Sequence, residues 1–371
     1  MQAEQTRWSE GGPLTPPQLR DAQLVLVFGS RERVARRDAF QAIRAAYPAA
    51  RIVGASTAGE IAGLDVLGDG LVSTAVQFER TRVGVVGVRL DEVAGSREAG
   101  EFLAQGLPHE DLMHVLVFAD GTSVNGTELV RGLRNELPPH VQVTGGLAGD
   151  GERFERTAVM ADAPAAPHTV CAVGLYGSRI RVSYGSLGGW DPFGPSRLVT
   201  RSEGNRVYEI DGQPALDLYK TVLGEKASGL PATGLLYPLL VRTASNDFVR
   251  TLLAVDERER ALVFAGDVPQ GERATFMRAN FERLIQGAEG AALDARPGAD
   301  VPQLALLISC VGRRMVLQER TADEVAAVAK VLGEKALLAG FYSYGEICPV
   351  ARDANCTLHN QTMTITVLTE P

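Results

Sequence analysis

Lysine is nearly absent from this 371-residue chain, which carries it only at positions 220, 226, 330 and 335. Basic charge is almost all arginine, and the balance is acidic, with a net charge of −8. The densest basic clusters, Arg31/Arg33/Arg36/Arg37 and Arg313/Arg314, are short and set among acids. Nucleic-acid binders hold phosphates with clustered Lys and Arg, and release of counterions sets their affinity. This chain is therefore expected to bind no nucleic acid. Cysteine is scarce too: Cys171, Cys310, Cys348 and Cys356 include no pair at the two-residue spacing of a zinc site or redox dithiol. No apolar run approaches the ~20 residues of a membrane helix, and the longest, residues 304–311, has the length of a buried strand. Residues 1–21 are polar, carry three prolines and lack the apolar core of a signal peptide. A cytoplasmic protein without a membrane span is expected. Gly-x-Ser-x-Gly, P-loop and His-Glu-x-x-His signatures are missing as well, which argues against an enzyme of those classes.

What is present is an average globular composition, 45% apolar and 22% charged, on a chain long enough for two domains or one large composite. The informative feature is an internal repeat. Leu24–Phe28 reads as a buried strand, a helical stretch runs to Ala46, and Gly54-Ala-Ser-Thr-Ala-Gly-Glu60 follows. The order recurs with strand Val115–Phe118, a helix opened by the capping box Asn125-Gly-Thr-Glu128, and Gly145-Gly-Leu-Ala-Gly-Asp150. From Phe28 to Gly54 is 26 positions, and from Phe118 to Gly145 is 27. A looser third copy has strand Leu304–Cys310, a box at Thr321-Ala-Asp-Glu324, a helix stopped by Gly333, and Gly340-Phe-Tyr-Ser-Tyr-Gly-Glu346. Between the second and third copies, the sequence predicts a hairpin at Asp211-Gly212, a helix over 216–223, a hairpin from 252 to 264, and a helix over 274–286. The expected fold class is α/β (α+β): mixed β-sheets with flanking helices, built from repeated β-α-β-β units in two packed domains. Expected bounds are 1–20 irregular, 21–215 and 216–371.

Glycine permits close approach of backbones. The turns holding Gly54, Gly59, Gly145, Gly146 and Gly345 therefore either bring amide groups to a ligand or let strands pack closely. Their acids, Glu60, Asp150 and Glu346, would face a ligand ammonium or pair with a neighbouring arginine. Tyr344 lies within the third turn, and Arg313 could hold a ligand carboxylate through a bidentate contact. Asp120-Gly-Thr-Ser123, between a strand and a helix, could place an anion at the helix terminus or be an ordinary strand-loop-cap. His359 stands beside Asn360 and near Cys348 and Cys356, where a histidine could ligate haem iron with Asn360 as its orienting partner. Equally, it could be hydrogen-bonded within a turn.

Residues 309–314 (Ser-Cys-Val-Gly-Arg-Arg), 340–347 (Gly-Phe-Tyr-Ser-Tyr-Gly-Glu-Ile) and 358–363 (Leu-His-Asn-Gln-Thr-Met) together resemble the C-terminal domain of the FIST family. The Gly54 and Gly145 segments are similar to its N-terminal domain. The resemblance implies a non-enzymatic bacterial sensory protein that binds a small ligand such as an amino acid. It would signal through a separate partner, a histidine kinase or a cyclic-di-nucleotide enzyme. Two alternatives follow: a haem-binding nitric oxide sensor using His359, and a hydrolase with Cys310 or Cys348 as nucleophile.

Overall fold

The computed structural model describes residues 1–371 except 245, 246, 299 and 350–354. It is an α+β protein of mixed sheets with flanking helices. Three sheets are six-stranded, and an eight-stranded antiparallel sheet is formed within residues 191–278.

Each six-stranded sheet is built on one parallel pair. Leu24–Gly29 lies beside Arg51–Ser56, Leu112–Ala119 beside Gln142–Leu147, and Leu304–Cys310 beside Leu337–Ser343. Parallel strands need a crossover, and the helices Arg37–Ala46, Gly126–Glu136 and Thr321–Leu332 lie within the three connections. An antiparallel return strand flanks each first strand: Leu71–Gln77, Thr169–Tyr176 and Met363–Thr369. An outer strand then pairs with each return strand: Gln2–Ser9, Arg82–Arg89 and Arg181–Leu187. Strands covered on both faces are apolar throughout, and Leu24–Gly29 and Leu304–Cys310 are buried at every position.

The glycine-acid turns are the corners where the chain changes sheets. After Arg51–Ser56 it crosses to the third sheet, where Glu60–Ala62 pairs with Leu337–Ser343. After Leu337–Ser343 it enters the second sheet, where Gly345–Pro349 pairs with Gln142–Leu147. After Gln142–Leu147 it reaches the first, where Val159–Ala161 pairs with Arg51–Ser56. The three sheets thus exchange strands in a closed cycle. Backbone hydrogen bonds repeat the cycle: Ala58 N donates to Tyr342 O at 2.8 Å, Tyr344 N to Leu147 O at 3.2 Å, and Gly149 N to Ser56 O at 2.8 Å. One core joins all three sheets around Phe28, Phe118 and Phe341, with the Phe28 and Phe341 rings stacked at 4.7 Å.

Some expectations need correction. Residues 1–20 are not irregular throughout: Gln2–Ser9 is an outer strand registered on Leu71–Gln77. Its polar sequence hid it, because a strand at the margin of a sheet needs no continuous apolar run. Pairing also crosses position 215, since Asp191–Glu203 pairs with Arg273–Arg278. The helix expected over 274–286 is instead the strand Arg273–Arg278 followed by the helix Phe281–Asp294, which Asn280 caps through Arg283 N. The Thr321 capping box does not form. Thr321 begins the helix, and its hydroxyl donates to Gln318 O. Asn125 does cap its helix, accepting from Thr127 N and Glu128 N.

Gly54, Gly145 and Gly340 hold equivalent places, each directly opposite a residue of the first parallel strand (Val27, Val117 and Leu307). A Cβ at any of the three would overlap that residue's carbonyl oxygen. Backbone cannot give way as a flexible side chain can, so Gly145→Ala or Gly340→Ala is expected to cost about 3 kcal/mol or more. Gly11→Ala, whose Cβ would meet only Ser9 Oγ at 3.9 Å, should change stability by less than about 0.5 kcal/mol. Urea unfolding of the three variants checks this; an unchanged midpoint for Gly340→Ala would refute the packing role.

Candidate functional site

Glu60 and Glu346 are fully buried, and both act as staples within their corners. Glu60 accepts from Thr57 Oγ1 at 2.6 Å and from Gly70 N at 2.9 Å. Glu346 accepts from Ser343 Oγ at 2.6 Å, and from Thr362 N at 3.2 Å and Oγ1 at 2.9 Å. Gly70 and Thr362 each stand just before a return strand, so each carboxyl ties its corner to the strand that closes the unit. The middle corner is one residue shorter, and Asp150 does not reach that position. It is instead held by Arg31 and Arg153 and accepts from Arg156 N at 3.2 Å. In this unit Asp120 replaces the staple: its Oδ2 accepts from His168 N at 2.9 Å, just before the return strand Thr169–Tyr176.

Asp120 also shapes the neighbouring loop. Its Oδ1 accepts from the backbone N–H groups and hydroxyls of both Thr122 and Ser123, at 2.8–2.9 Å. Burial pushes the Asp120 carboxyl up, but these bonds and that from His168 outweigh it and hold the group below its ordinary value. The loop it folds, residues 121–126, forms one wall of a cleft of about 460 Å³. Phe264–Gly266, Asn205 and Leu253 form the opposite wall, and Leu147, Phe154, Tyr344 and Leu358 complete the lining. Phe154 and Tyr344 stack at 4.3 Å with 17° between their planes. The Tyr344 hydroxyl accepts from Phe154 N at 3.1 Å and donates to Gly151 O at 3.2 Å. The volume falls within the range of small-molecule sites.

Of the residues singled out in the sequence, Tyr344 lines this cleft. Gly345 packs behind it, where an added Cβ would meet Leu147 and Leu358 at 3.0 Å. Gly54, Gly59, Gly145 and Gly146 lie in the corners, and an added Cβ there would collide with neighbouring strands or, at Gly59, with Arg314. Arg313 is fully buried. Its guanidinium pairs with Glu324 at 2.7 Å and donates to the carbonyls of Gly188 and Leu284. It braces the helix Phe281–Asp294 rather than facing the cleft. His359 follows the cleft residue Leu358 in strand Cys356–His359, and the alternation of a strand turns it to the other face. Its Nε2 lies 2.9 Å from Cys348 O and 3.2 Å from Thr357 Oγ1, and burial pulls its pKa down to about 4. Asn360 turns its amide back to His359 O and accepts from Thr251 N. Buried and with Nε2 so engaged, His359 does not line the cleft. Cys310 and Cys348 are buried, and burial raises both thiols well above their ordinary value. Among the described residues no cluster of His, Cys, Asp and Glu is arranged to hold a metal ion.

Sequence reading missed Phe154, Asn205, Leu253 and Ala265. Besides Tyr344, the Asp120-Gly-Thr-Ser123 loop carried a signal, through its position between a strand and a helix.

The staples make a pH prediction. Burial pushes the Glu346 carboxyl from 4.5 up to about 8, against hydrogen bonds that favour its charged form. Folding therefore takes up a proton between those values, so this stabilisation is full below about 4.5 and is lost as pH rises to about 8. Glu346→Gln, which cannot ionise, should flatten the fall of the melting temperature between pH 5 and 8. Parallel curves for the two proteins would reject the assignment.

Comparison with known proteins agrees with the corner motifs. Residues 23–213 match the FIST N domain and residues 215–349 the FIST C domain. An uncharacterized protein of Methanocaldococcus jannaschii is 23% identical in an alignment of 291 residues that covers 72% of this chain and 56% of that protein. The chain thus spans about half the length of this relative. A crystal structure of cyanuric acid hydrolase from A. caulinodans aligns over 100% of this chain and 99% of its own, with a TM-score of 0.37 and 9% identity. That likeness is too low to bear on ligand or chemistry. With both domains matched in order across most of its length, the chain belongs to the FIST family.

Proposed function

We propose that this protein is a non-enzymatic sensor working in the cytoplasm. It binds a small molecule in the cleft and passes the bound state to a separate signalling partner, such as a histidine kinase or a cyclic-di-nucleotide enzyme. FIST domains are associated with sensory signal transduction. Among the described residues no helix is long and apolar enough to cross a membrane. The observation that carries the reading is the origin of the cleft walls. The loop 121–126, Phe154 and Asn205 belong to the segment matched as FIST N, while Leu253, Phe264–Gly266 and Tyr344 belong to FIST C. A ligand touching both would favour one packing of the two over others, and a ligand shifts an equilibrium only by such differential contact.

Thermal unfolding against a metabolite panel tests the proposal. A true ligand at 100 times its Kd should stabilise the folded protein by about 2.7 kcal/mol. Phe154→Ala, at a half-buried position, should remove that response and leave the unliganded melt within a few degrees of wild type. A response that survives this substitution would place the ligand elsewhere.

A further inference from the structure

This inference rests on the cleft being the ligand site. We infer that the cleft takes an uncharged, planar ring whose edge offers N–H groups, laid against the Phe154–Tyr344 stack.

The first observation is what the lining lacks. It holds no Asp, Glu, Lys, Arg or His. Charged groups near it are engaged elsewhere, among them Arg153, beside Phe154, which pairs with Asp150 and Glu32. Asp120 is turned into its own loop and towards His168 N. Asp267 faces Arg131 and accepts from Asn125 Nδ2. Arg250, buried behind Gly266, donates to the carbonyls of Asp267, Val249 and Leu358. A charged ligand entering here would shed water without meeting a counter-charge, which is strongly unfavourable. An amino acid, the ligand expected from the sequence, brings two such charges. The corner acids that could have met its ammonium are outside the cleft.

The second observation is the platform. Tyr344 is fixed through its hydroxyl to Gly151 O and Phe154 N. Phe154 is held at φ 55°, a region that L-residues with bulky side chains rarely adopt. Such strain persists only where surrounding structure imposes it, and it collects at binding sites. Here it keeps two rings parallel and presents a flat apolar surface. Aromatic faces receive other planar π-systems in offset stacks, which gain more than the area they bury.

The third observation sets the ligand's edge. Thr122 and Ser123 give their hydroxyl protons to Asp120, so their oxygens remain as acceptors. Asn205 uses Nδ2 on Phe264 O at 2.9 Å, which leaves its Oδ1 as an acceptor. Side chains on both walls therefore present neutral oxygens as acceptors, and the amides of Asn125 and Asn205 each use only one of their two Nδ2 protons. A neutral ring whose edge offers N–H groups satisfies the oxygens, and a carbonyl beside them can meet an amide; a ring without N–H leaves the oxygens unmet.

Calorimetry with defined probes on the full chain decides this. Uracil and adenine serve as neutral N–H rings, 1,3-dimethyluracil as a ring of similar shape without N–H, and phenylalanine and adenosine monophosphate as charged probes. Uracil or adenine should bind at least tenfold more tightly than the charged probes. Dimethylation should weaken uracil several-fold, and Ser123→Ala, at an exposed position, should do the same. Failure of both neutral rings to bind overturns the inference. Tighter binding of a charged probe that Phe154→Ala abolishes would also overturn it, while leaving the cleft as the ligand site. Binding of a neutral ring that is indifferent to Phe154→Ala would overturn the cleft itself.

Discussion

Three backbone hydrogen bonds between corners, Ala58 to Tyr342, Tyr344 to Leu147 and Gly149 to Ser56, close the cycle on which the rest of the protein is arranged. A chain that leaves one sheet for another carries unpaired N–H and C=O groups through the interior, and each would be costly if left unmet. Here the corner of every unit satisfies the corner of another. The bonds form only because the strands approach closely just before the turn, which is why Gly54, Gly145 and Gly340 face carbonyl oxygens with no room for a side chain. The aromatic centre follows from this geometry. With the three corners locked, Phe28, Phe118 and Phe341 converge from different sheets onto one another.

Carboxyls then fasten each corner to its return strand, and the way the middle unit departs from this rule leads to the cleft. Glu60 and Glu346 reach the amides of Gly70 and Thr362 directly. The middle turn is one residue shorter, so Asp120, at the end of the first parallel strand, takes the amide of His168 instead. Its second oxygen is free to gather Thr122 and Ser123. One carboxylate therefore serves both the fold and the shape of the cleft wall. The shortened corner also releases Asp150 to the arginines, and Phe154 follows in the segment leading to strand Val159–Ala161.

How much of this was legible beforehand depended on the range of each interaction. Apolar runs such as Leu304–Cys310, the Asn125 cap and the Asp211-Gly212 turn, where both residues have positive φ, are local, and local rules found them. The corner motifs were visible as glycines five or six residues before an acid. Whether those glycines faced a ligand or a neighbouring strand was not visible, because the answer lies in Val27, Val117 and Leu307, more than 25 positions away in each case. Arg313 and His359 looked like ligand groups for the same reason: their partners, Gly188, Leu284 and Cys348, are brought to them by tertiary packing. The helix expected over 274–286 failed differently. Its first residues pair with Leu239–Arg242 and Asp191–Glu203, and the sheet overrides their helical pattern.

The cleft lies where the repeated units differ rather than where they agree. Positions common to all three, the facing glycines and the corner amides, are fixed by mutual packing and leave little room for a ligand to vary. Parts present in only one unit carry no such duty. The segment 150–158 gives Phe154, and the strands within 191–278, inserted between the outer strand Arg181–Leu187 and the helix Phe281–Asp294, give Asn205 and Phe264–Gly266. Tyr344 connects the two regimes. Its backbone belongs to the corner cycle through the bond to Leu147 O, while its ring and hydroxyl belong to the cleft. On the proposed reading, a ligand pressing on that ring would act on a residue whose N–H helps hold two sheets together, a direct mechanical route from the cleft to the packing of the sheets.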